Sequence, residues 1–463
     1  MTKKIFGETD GIRAKVGDFP LRPNVLKTLG SAIAGEMQAK EFLMARDTRL
    51  SGLWMKESLT AGLEEGGIKV KDLGILPTPA ISKILEQSDY EGGIMITASH
   101  NPATDNGVKL FVENGDKSDD ALELAIESRY FAADLEPDIE LPKVEYVEMG
   151  TDSDSVAKYV EMANNVLSEG KKDEAPVSEK FKNGKIILDA ASGAGHNFSR
   201  LVFEDFGLEV EVIDPEPDGE NINEGYGALH PEKLSEYCKK NGVMGIALDG
   251  DADRAILVDE YGRVWSGDRI VAFLATYLKE QGLLENSTVV LTEYSNLAAI
   301  QYIQAQGIKV EKVVVGDREV ARKCKELGAI LGGENAGHII YLPWLNSSDG
   351  TFVALLAEKI IREKGCALAD LWPDYEDFPN EQLAVKVSEK RPLEQVAGWT
   401  EALEKAQERL NGRGRVFTRY SGTEMKLRIL VEGPDFREDH EVAEGLKVII
   451  EKEIGAWQLR LAH

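Results

Sequence analysis

Three stretches of the chain are written to one plan. EFLMARDTRLSGLWMKESLTAGLEEGGIKVKDLG from Glu41, KIILDAASGAGHNFSRLVFEDFGLEVEVID from Lys185 and STVVLTEYSNLAAIQYIQAQGIKVEKVVVGD from Ser287 each read strand, polar turn, helix, glycine turn, strand. Gly207 ends the second helix and Gly307 the third, glycine being the residue that closes a helix without steric cost. Two parallel strands cannot be joined by a tight turn, so a unit of roughly thirty residues has the size of a parallel crossover. Written three times, it predicts three related α/β domains in tandem.

The rest of the chain fits around these units. At 463 residues it exceeds one ordinary core, and roughly three or four domains are expected. The acidic, proline-containing run ALADLWPDYEDFPNEQLA, Ala367 to Ala384, reads as an interdomain linker. Beyond it come a helix near Thr400 to Leu410, the strands RVFTRY and KLRILVEG, and a helix from about Glu438, which is α+β. The expected fold is therefore three tandem related α/β domains with mixed sheets plus a C-terminal α+β domain, with boundaries 1–150, 151–254, 255–372 and 373–463. The run from Ser168 to Gly184 is charged and lacks an apolar face, so it is expected to be a solvated connection.

Composition removes several classes of function. The apolar content of 43% suffices for packed cores. Cys238, Cys324 and Cys366 are scattered and odd in number, neither a disulfide framework nor a metal cluster, which fits a reducing cytoplasm. MTKKIFGETDGIRAK has no apolar targeting core and no stretch approaches a membrane span, so a soluble cytoplasmic protein without a membrane partner is expected. A net charge of −27 repels nucleic acid. A small anionic substrate meets the same repulsion and needs a cleft of Arg, Lys and backbone N–H groups.

Four motifs carry chemistry, each with a plainer alternative. In GGIMITASHNPATDNGVKLF, Gly92 to Phe111, an apolar run ends at Ser99 and His100; this is a capped loop or a nucleophile fixed at a strand end. In MGIALDGDADRAILVDEYGRV, Asp249, Asp251 and Asp253 stand at i, i+2 and i+4, which in extended backbone puts all three carboxylates on one side. A solvated acidic turn, a calcium EF-hand loop or a Mg²⁺ site open to phosphate would each use such a run. Arg254 stands where the EF-hand needs glycine, and the flanks read as strands. In LGGENAGH, Glu334 and His338 lie in a loop whose small residues let a ligand approach, or simply make a turn. In TRYSGTEMKLRI, Arg419, Ser421 and Thr423 surround Gly422 and Arg428 returns on the next strand, a phosphate cradle or a chance cluster.

TASHNP, DGDADR, GENAGH and RYSGTE, in that order over essentially the whole chain, resemble the α-D-phosphohexomutase superfamily. FGETDGIRAKVG, ARDTRLSG, NINEGYGALHPE and VGDR look most like its phosphoglucosamine mutase branch. The resemblance implies four domains around a central cleft and an isomerase that interconverts glucosamine 6-phosphate and glucosamine 1-phosphate through a 1,6-bisphosphate, which also serves as activator. Such an enzyme feeds UDP-N-acetylglucosamine and cell-wall precursor synthesis. It implies that Ser99 carries the phosphoryl group and that one Mg²⁺ per active site is held by Asp249, Asp251, Asp253 and that phosphoserine. Arg254 would stabilise the group in transfer, with Arg13, His100 and Lys109 around it. Lys109 is the candidate general acid/base if local positive charge lowers its pKa. Glu334 and His338 would contact sugar hydroxyls, and Arg419, Ser421, Gly422, Thr423 and Arg428 the phosphate not in transfer. A monomer or a homodimer fits equally.

The chain departs from the family pattern at several points. Glu8 is inserted in what is usually FGTDGIRG, and Ala14 replaces its last glycine. Asn335 and Ala336 replace a glutamine and a serine of the sugar loop, Tyr420 and Met425 replace two prolines, and SSDGT stands for a usual T-GDG. None removes a charge needed for transfer, but sugar identity and the rigidity of two loops come into question. The alternatives are a phosphoglucomutase or phosphomannomutase, a non-catalytic phosphosugar-binding protein, or a phosphatase.

Overall fold

A computed structural model of the chain describes residues 4–7, 11–133, 137, 139–144, 150–168, 184–284, 286–421 and 424–455. Glu8 and residues 169–183, expected as an insertion and a solvated connection, lie outside the described residues, as do Gly422 and Thr423 of the phosphate motif. Two compact units form, residues 1–294 with 307–373, and residues 295–306 with 374–463.

In the first unit, β1 (Ile12–Lys15) and α1 (Pro23–Met37) precede the first repeat, where α2 (Ser51–Glu65) links the parallel strands β2 (Glu41–Arg46) and β3 (Lys69–Ile75). After α3 (Thr78–Glu86), β4 (Gly92–Ile96) pairs in parallel with the other side of β2, and β5 (Asp105–Val112) returns antiparallel to β4. The sheet order is β1-β5-β4-β2-β3. Phe42 and Met44, Ile94 and Ile96, Val108 and Leu110 stand at i, i+2 on three neighbouring strands and are buried with Leu26, Ile33, Trp54 and Leu59. Each such side chain contributes about 1.5–3 kcal/mol through burial, which is what fixes the register. The helices α4 (Asp120–Ala132) and α5 (Ser153–Leu167) follow.

The second sheet repeats the plan: β6 (Gly184–Asp189), α6 (Gly195–Asp205) and β7 (Leu208–Val212) make the parallel unit. After α7 (Glu232–Asn241), β8 (Gly245–Leu248) runs parallel to β6, and β9 (Ala255–Val258) and β10 (Val264–Trp265) return antiparallel. The expected boundary at 254/255 is therefore corrected: Leu248 pairs with Ala255 in one continuous ladder, so this sheet runs on to Trp265. α8 (Gly267–Glu280) leads to the third sheet, in which β11 (Thr288–Thr292) is parallel to β12 (Lys309–Val313), with α9 (Leu297–Ala305) between them in the chain. After α10 (Asp317–Leu327), β13 (Leu331–Gly333) is parallel to β11, β14 (Ile339–Tyr341) is antiparallel to β13, and α11 (Gly350–Lys364) follows. Gly207 and Gly307, which end two of these helices in the sequence plan, have φ of 86° and 72°, and Gly67 after α2 has φ of 92°.

The second unit holds β15 (Asn380–Lys386), α12 (Trp399–Leu410), β16 (Arg415–Tyr420), β17 (Lys426–Glu432) and α13 (Phe436–Ile454), with sheet order β15-β17-β16, the α+β form expected. Its core is built on Trp399, Leu427, Ile429, Val431, Leu446 and Ile450. α9 belongs to this unit, because Asn296 exchanges two hydrogen bonds with the Phe378 backbone and the Leu297 N–H donates to Glu432. The last domain is thus more than the expected 373–463. Among the described residues, no helix is long and apolar enough to cross a membrane.

Candidate active site

The three motifs of the first unit occupy one topological slot. Ser99 follows β4, the aspartates follow β8 and Glu334 follows β13. Each of these strands is parallel to the first strand of its repeat and antiparallel to the strand that comes next. Loops at the C-terminal ends of parallel strands are where α/β sheets present ligand-binding groups.

Ser99 is buried, and its φ of 51° is left-handed, rarely adopted by a residue with a side chain. Such a conformation persists only when the surroundings over-determine it. Its N–H donates to Thr97 Oγ1 (2.9 Å), and Thr97 Oγ1 donates to Asp47 Oδ2 (2.7 Å). Asp47 also receives Arg49 Nε at 2.9 Å. The Ser99 carbonyl accepts from Arg49 Nη2 (3.0 Å) and Asn223 Nδ2 (2.9 Å), and Ser99 Oγ donates to Asp249 Oδ2 at 2.8 Å. The nucleophile candidate thus meets the acidic triad directly.

Asp249, Asp251 and Asp253 are at most 3% exposed, and their ligand atoms lie within 4.8 Å of one another. Burial, then the charges of Asp253 and Asp251, push Asp249 up to about 7. Asp253 is held well below the usual range because Lys109 and His338 outweigh its burial. Asp251 Oδ2 accepts from Thr78 Oγ1 and from Lys109 Nζ at 2.7 Å, while Oδ1 is buried with no hydrogen-bond partner among the described residues. Three crowded carboxylates, one with a bare oxygen, fit a hard divalent cation, which takes oxygen ligands and relieves the repulsion.

Lys109 lies on β5 opposite Met95, and its Nζ also donates to Asp253 Oδ2 at 2.9 Å. Two carboxylates hold it because the acidic turn is folded over the ammonium, so these contacts do not supply the local positive charge on which its acid/base role was conditional. Arg254 Nη2 donates to His100 Nδ1 at 3.0 Å, which leaves the ring proton of neutral His100 on Nε2. Burial, then the Arg254 and Arg13 charges, hold His100 down at about 4. Its Nδ1 is 3.3 Å from Ser99 Oγ. Arg13, on β1, has its Nε buried without a hydrogen-bond partner among the described residues.

Glu334 is buried, accepting from the Gly316 N–H at 2.6 Å through Oε1 and facing His338 Nδ1 at 2.7 Å through Oε2. His338 Nε2 lies 3.2 Å from Asp253 Oδ1. Burial and Arg254 oppose protonation of His338, but the two carboxylates outweigh them and hold it up at about 10. Protonated on both nitrogens, the ring donates to both acids. The 3.2 Å approach of Arg254 Nε to Nε2 is then a contact of two cations sharing acidic neighbours rather than a hydrogen bond. Asn335 and Ala336 are exposed beside them.

In the second unit, Arg419 on β16 and Arg428 on β17 are directly cross-strand and both exposed. Like charges so placed destabilise a sheet, and an anion between them reverses the effect. Buried Ser421 pairs through its N–H with the Lys426 carbonyl at 2.9 Å. Tyr420, which replaces a proline, donates its hydroxyl to the Arg391 carbonyl at 2.7 Å and so ties down this loop by another route. Sequence reasoning missed the supports of the site: Arg49, Thr78 and Asn223. Two of them left a signal, Arg49 in the Asp-x-Arg turn of ARDTRLSG and Asn223 in a glycine-rich turn, but neither discloses what it will touch, and Thr78 left none.

Four family models match along the chain: phosphoglucomutase/phosphomannomutase alpha/beta/alpha domain I over residues 3–137, domain II over 157–262, domain III over 266–378 and the C-terminal domain over 383–447. A phosphoglucosamine mutase of Bdellovibrio bacteriovorus is 36% identical over 462 residues, 97% of this chain and 99% of that protein. A solved phosphoglucomutase/phosphomannomutase family protein from Burkholderia thailandensis is similar with a TM-score of 0.74 at 20% identity, covering 98% of each chain. The N-acetylphosphoglucosamine mutase of Aspergillus fumigatus, solved in complex with GlcNAc-6P and magnesium, is similar with a TM-score of 0.60 at 19% identity, over 89% of this chain and 82% of that one. At these identities the structural likeness concerns the fold.

Proposed function

The chain belongs to the phosphoglucomutase/phosphomannomutase family, and on that premise we propose that Ser99 carries the phosphoryl group by which it interconverts glucosamine 6-phosphate and glucosamine 1-phosphate. It is a phosphohexomutase, an isomerase. The observation that carries the assignment is Ser99 Oγ, buried in a left-handed turn and 2.8 Å from Asp249. Binding a phosphosugar needs no such hydroxyl.

The reaction is two transfers at one serine. In the first, the Ser99 Oγ–P bond breaks and a bond forms from that phosphorus to the free hydroxyl of the sugar monophosphate, whose proton leaves to a base. In the second, the other phosphate of the resulting 1,6-bisphosphate returns to Oγ and the sugar oxygen it leaves takes up a proton. Lys109 is the group assigned to that proton: as the amine it takes the proton in the first transfer, and as the ammonium, which Asp251 and Asp253 hold, it returns the proton in the second. Arg254 and Arg13 face the oxygens of the group in transfer, while His100, kept neutral, accepts from Arg254 and fixes its direction. Asp249, Asp251, Asp253 and the phosphoserine would hold one Mg²⁺, which neutralises charge on the phosphoryl group. Glu334 and His338 read sugar hydroxyls, and the face of Arg419 and Arg428, with Ser421, Gly422 and Thr423, takes a phosphate.

Ser99→Ala tests the reading. It removes the carrier, so turnover should disappear while the fold and sugar-phosphate binding persist. Intact mass of wild type treated with a 1,6-bisphosphate should show one added phosphoryl group, absent from the variant. Near-normal turnover by Ser99→Ala, free of other mutase, sinks the assignment.

A further inference from the structure

We propose that Asn223, paired with Arg49, is a positioning residue for the nucleophile: the two side chains cage the carbonyl oxygens of Ser99 and Asn101 and thereby hold Ser99 in its left-handed conformation. The proposal rests on Ser99 being the phosphoryl carrier. Arg49 Nη2 donates to Ser99 O at 3.0 Å and to Asn101 O at 2.8 Å. Asn223 Nδ2 donates to the same two oxygens at 2.9 and 3.0 Å. Each carbonyl therefore receives two donors, one from its own domain and one from the NINEG turn of the next.

The two donors are themselves fixed. Arg49 is fully buried, with Nε on Asp47 Oδ2 at 2.9 Å and Nη1 on the Asp105 carbonyl at 3.1 Å. Asn223 adopts φ of 61°, a conformation Asn tolerates better than most residues, and its N–H donates to the Ala191 carbonyl at 2.9 Å. The third wall is Gly250, between the first two aspartates. A Cβ there would come within 2.7 Å of Ser99 O and 2.9 Å of Asn223 Nδ2, so the hydrogen bond between domains passes through the space a side chain would fill. Serine loop, acidic turn and NINEG turn thus share one contact point, and the direction of Ser99 Oγ depends on all three.

Two variants separate this role from general stability. Asn223→Gly takes φ of 61° freely and removes only the donor. Asn223→Asp keeps size and turn conformation but points an oxygen at two carbonyl oxygens. The experiment follows the rate at which dephosphorylated protein gains one phosphoryl group from glucose 1,6-bisphosphate, by rapid quench and intact mass, over a range of bisphosphate concentrations. Misplacing a reacting atom by a fraction of an ångström costs about tenfold or more. The maximal rate should fall about tenfold to a hundredfold in Asn223→Gly and further in Asn223→Asp, with the half-saturating concentration within about twofold of wild type. Ser99 uptake at the wild-type rate in both variants overturns the proposal, and so does a loss confined to half-saturation. No uptake by wild type would overturn the phosphoserine reading, and this one with it; uptake by wild type alone leaves the reading standing and supports the clamp.

Discussion

Gly250→Ala is the smallest change that should disable this site without touching a reacting group. Alanine has no objection to the backbone at this position, since Gly250 is not among the glycines with positive φ. Its Cβ would stand 2.7 Å from Ser99 O, 2.8 Å from Ile222 Cδ1 and 2.9 Å from Asn223 Nδ2. Ordinary contact begins near 3.4 Å, so the serine loop or the acidic turn must withdraw by about 0.7 Å. Overpacking of this kind costs about 1–3 kcal/mol of stability. The cost to chemistry is larger, because a 1 Å misplacement is worth about a hundredfold, and a shift of about 0.7 Å some tens of fold. We expect kcat for glucosamine 1-phosphate to fall about tenfold to a hundredfold, with KM changed less than threefold and a melting temperature lowered by only a few degrees. Steady-state assay with 1,6-bisphosphate present, alongside a thermal melt, measures both. A folded Gly250→Ala protein with kcat within twofold of wild type would refute the three-way contact.

Asp251→Asn should lower turnover by about two orders of magnitude and weaken Mg²⁺ affinity measured by calorimetry, since it alters the carboxylate with the bare oxygen; an unchanged titration would make the turn merely acidic. Asp189 is buried, with Oδ2 unpartnered among the described residues, and burial pushes it up to about 7. Its folded pKa is raised, so the stability it contributes is complete below its unfolded value near 3.8 and is lost as pH rises through about 7. Asp189→Asn should accordingly stabilise the protein more at pH 8 than at pH 5, by on the order of 2 kcal/mol, and a difference independent of pH in thermal melts counts against this. With glucosamine, glucose and mannose 1-phosphates assayed side by side, kcat/KM should favour the first by about tenfold to a few hundredfold, because Glu334 suits an ammonium better than a hydroxyl; preference for either neutral sugar removes the branch assignment and leaves the mutase chemistry.

What the sequence disclosed follows from what is local. The strand–helix–strand units are periodic over single segments, and all three pair in parallel. The aspartates at i, i+2, i+4 do converge, because the turn carrying them is short and both flanks are strands. What stayed hidden is set by contacts far apart in the chain, from 50 residues for Arg49 and Ser99 to 173 for Thr78 and Asp251. Asn223 reaches Ser99 and Asn101 across such separations, and Thr78 meets Asp251 likewise. The NINEG stretch marks Asn223 as a turn asparagine but does not say that it reaches another domain. The boundary at 254/255 failed for a related reason. The acidic motif reads as the end of a domain, whereas strand pairing continues through it to Trp265. The electrostatics of Lys109 also escaped, since its neighbours are fixed by folding and not by its own flanks.

The shared slot of the three loops explains how an acidic protein makes room for an anion. In each repeat the central strand ends in the proposed nucleophile or an acid, and the cation comes on the return. Ser99 leads to Lys109 on β5, the aspartates lead to Arg254 one residue before β9, and Glu334 leads to His338 one residue before β14. With Arg13 from β1, the cations are Arg13, Lys109, Arg254 and protonated His338; the acids are Asp249, Asp251, Asp253 and Glu334. Four stand against four, so the site is near neutral inside a chain of net charge −27. Asp249, held up at about 7, marks how close the acids are to excess. One divalent cation would then make the pocket positive by about the charge that a phosphoryl group brings. Metal and phosphate are on this account coupled ligands: each should bind more tightly in the presence of the other, by the same factor. Calorimetry of Mg²⁺ with the unphosphorylated and the phosphorylated protein would measure that factor directly, and equal affinities would show that the balance is struck elsewhere.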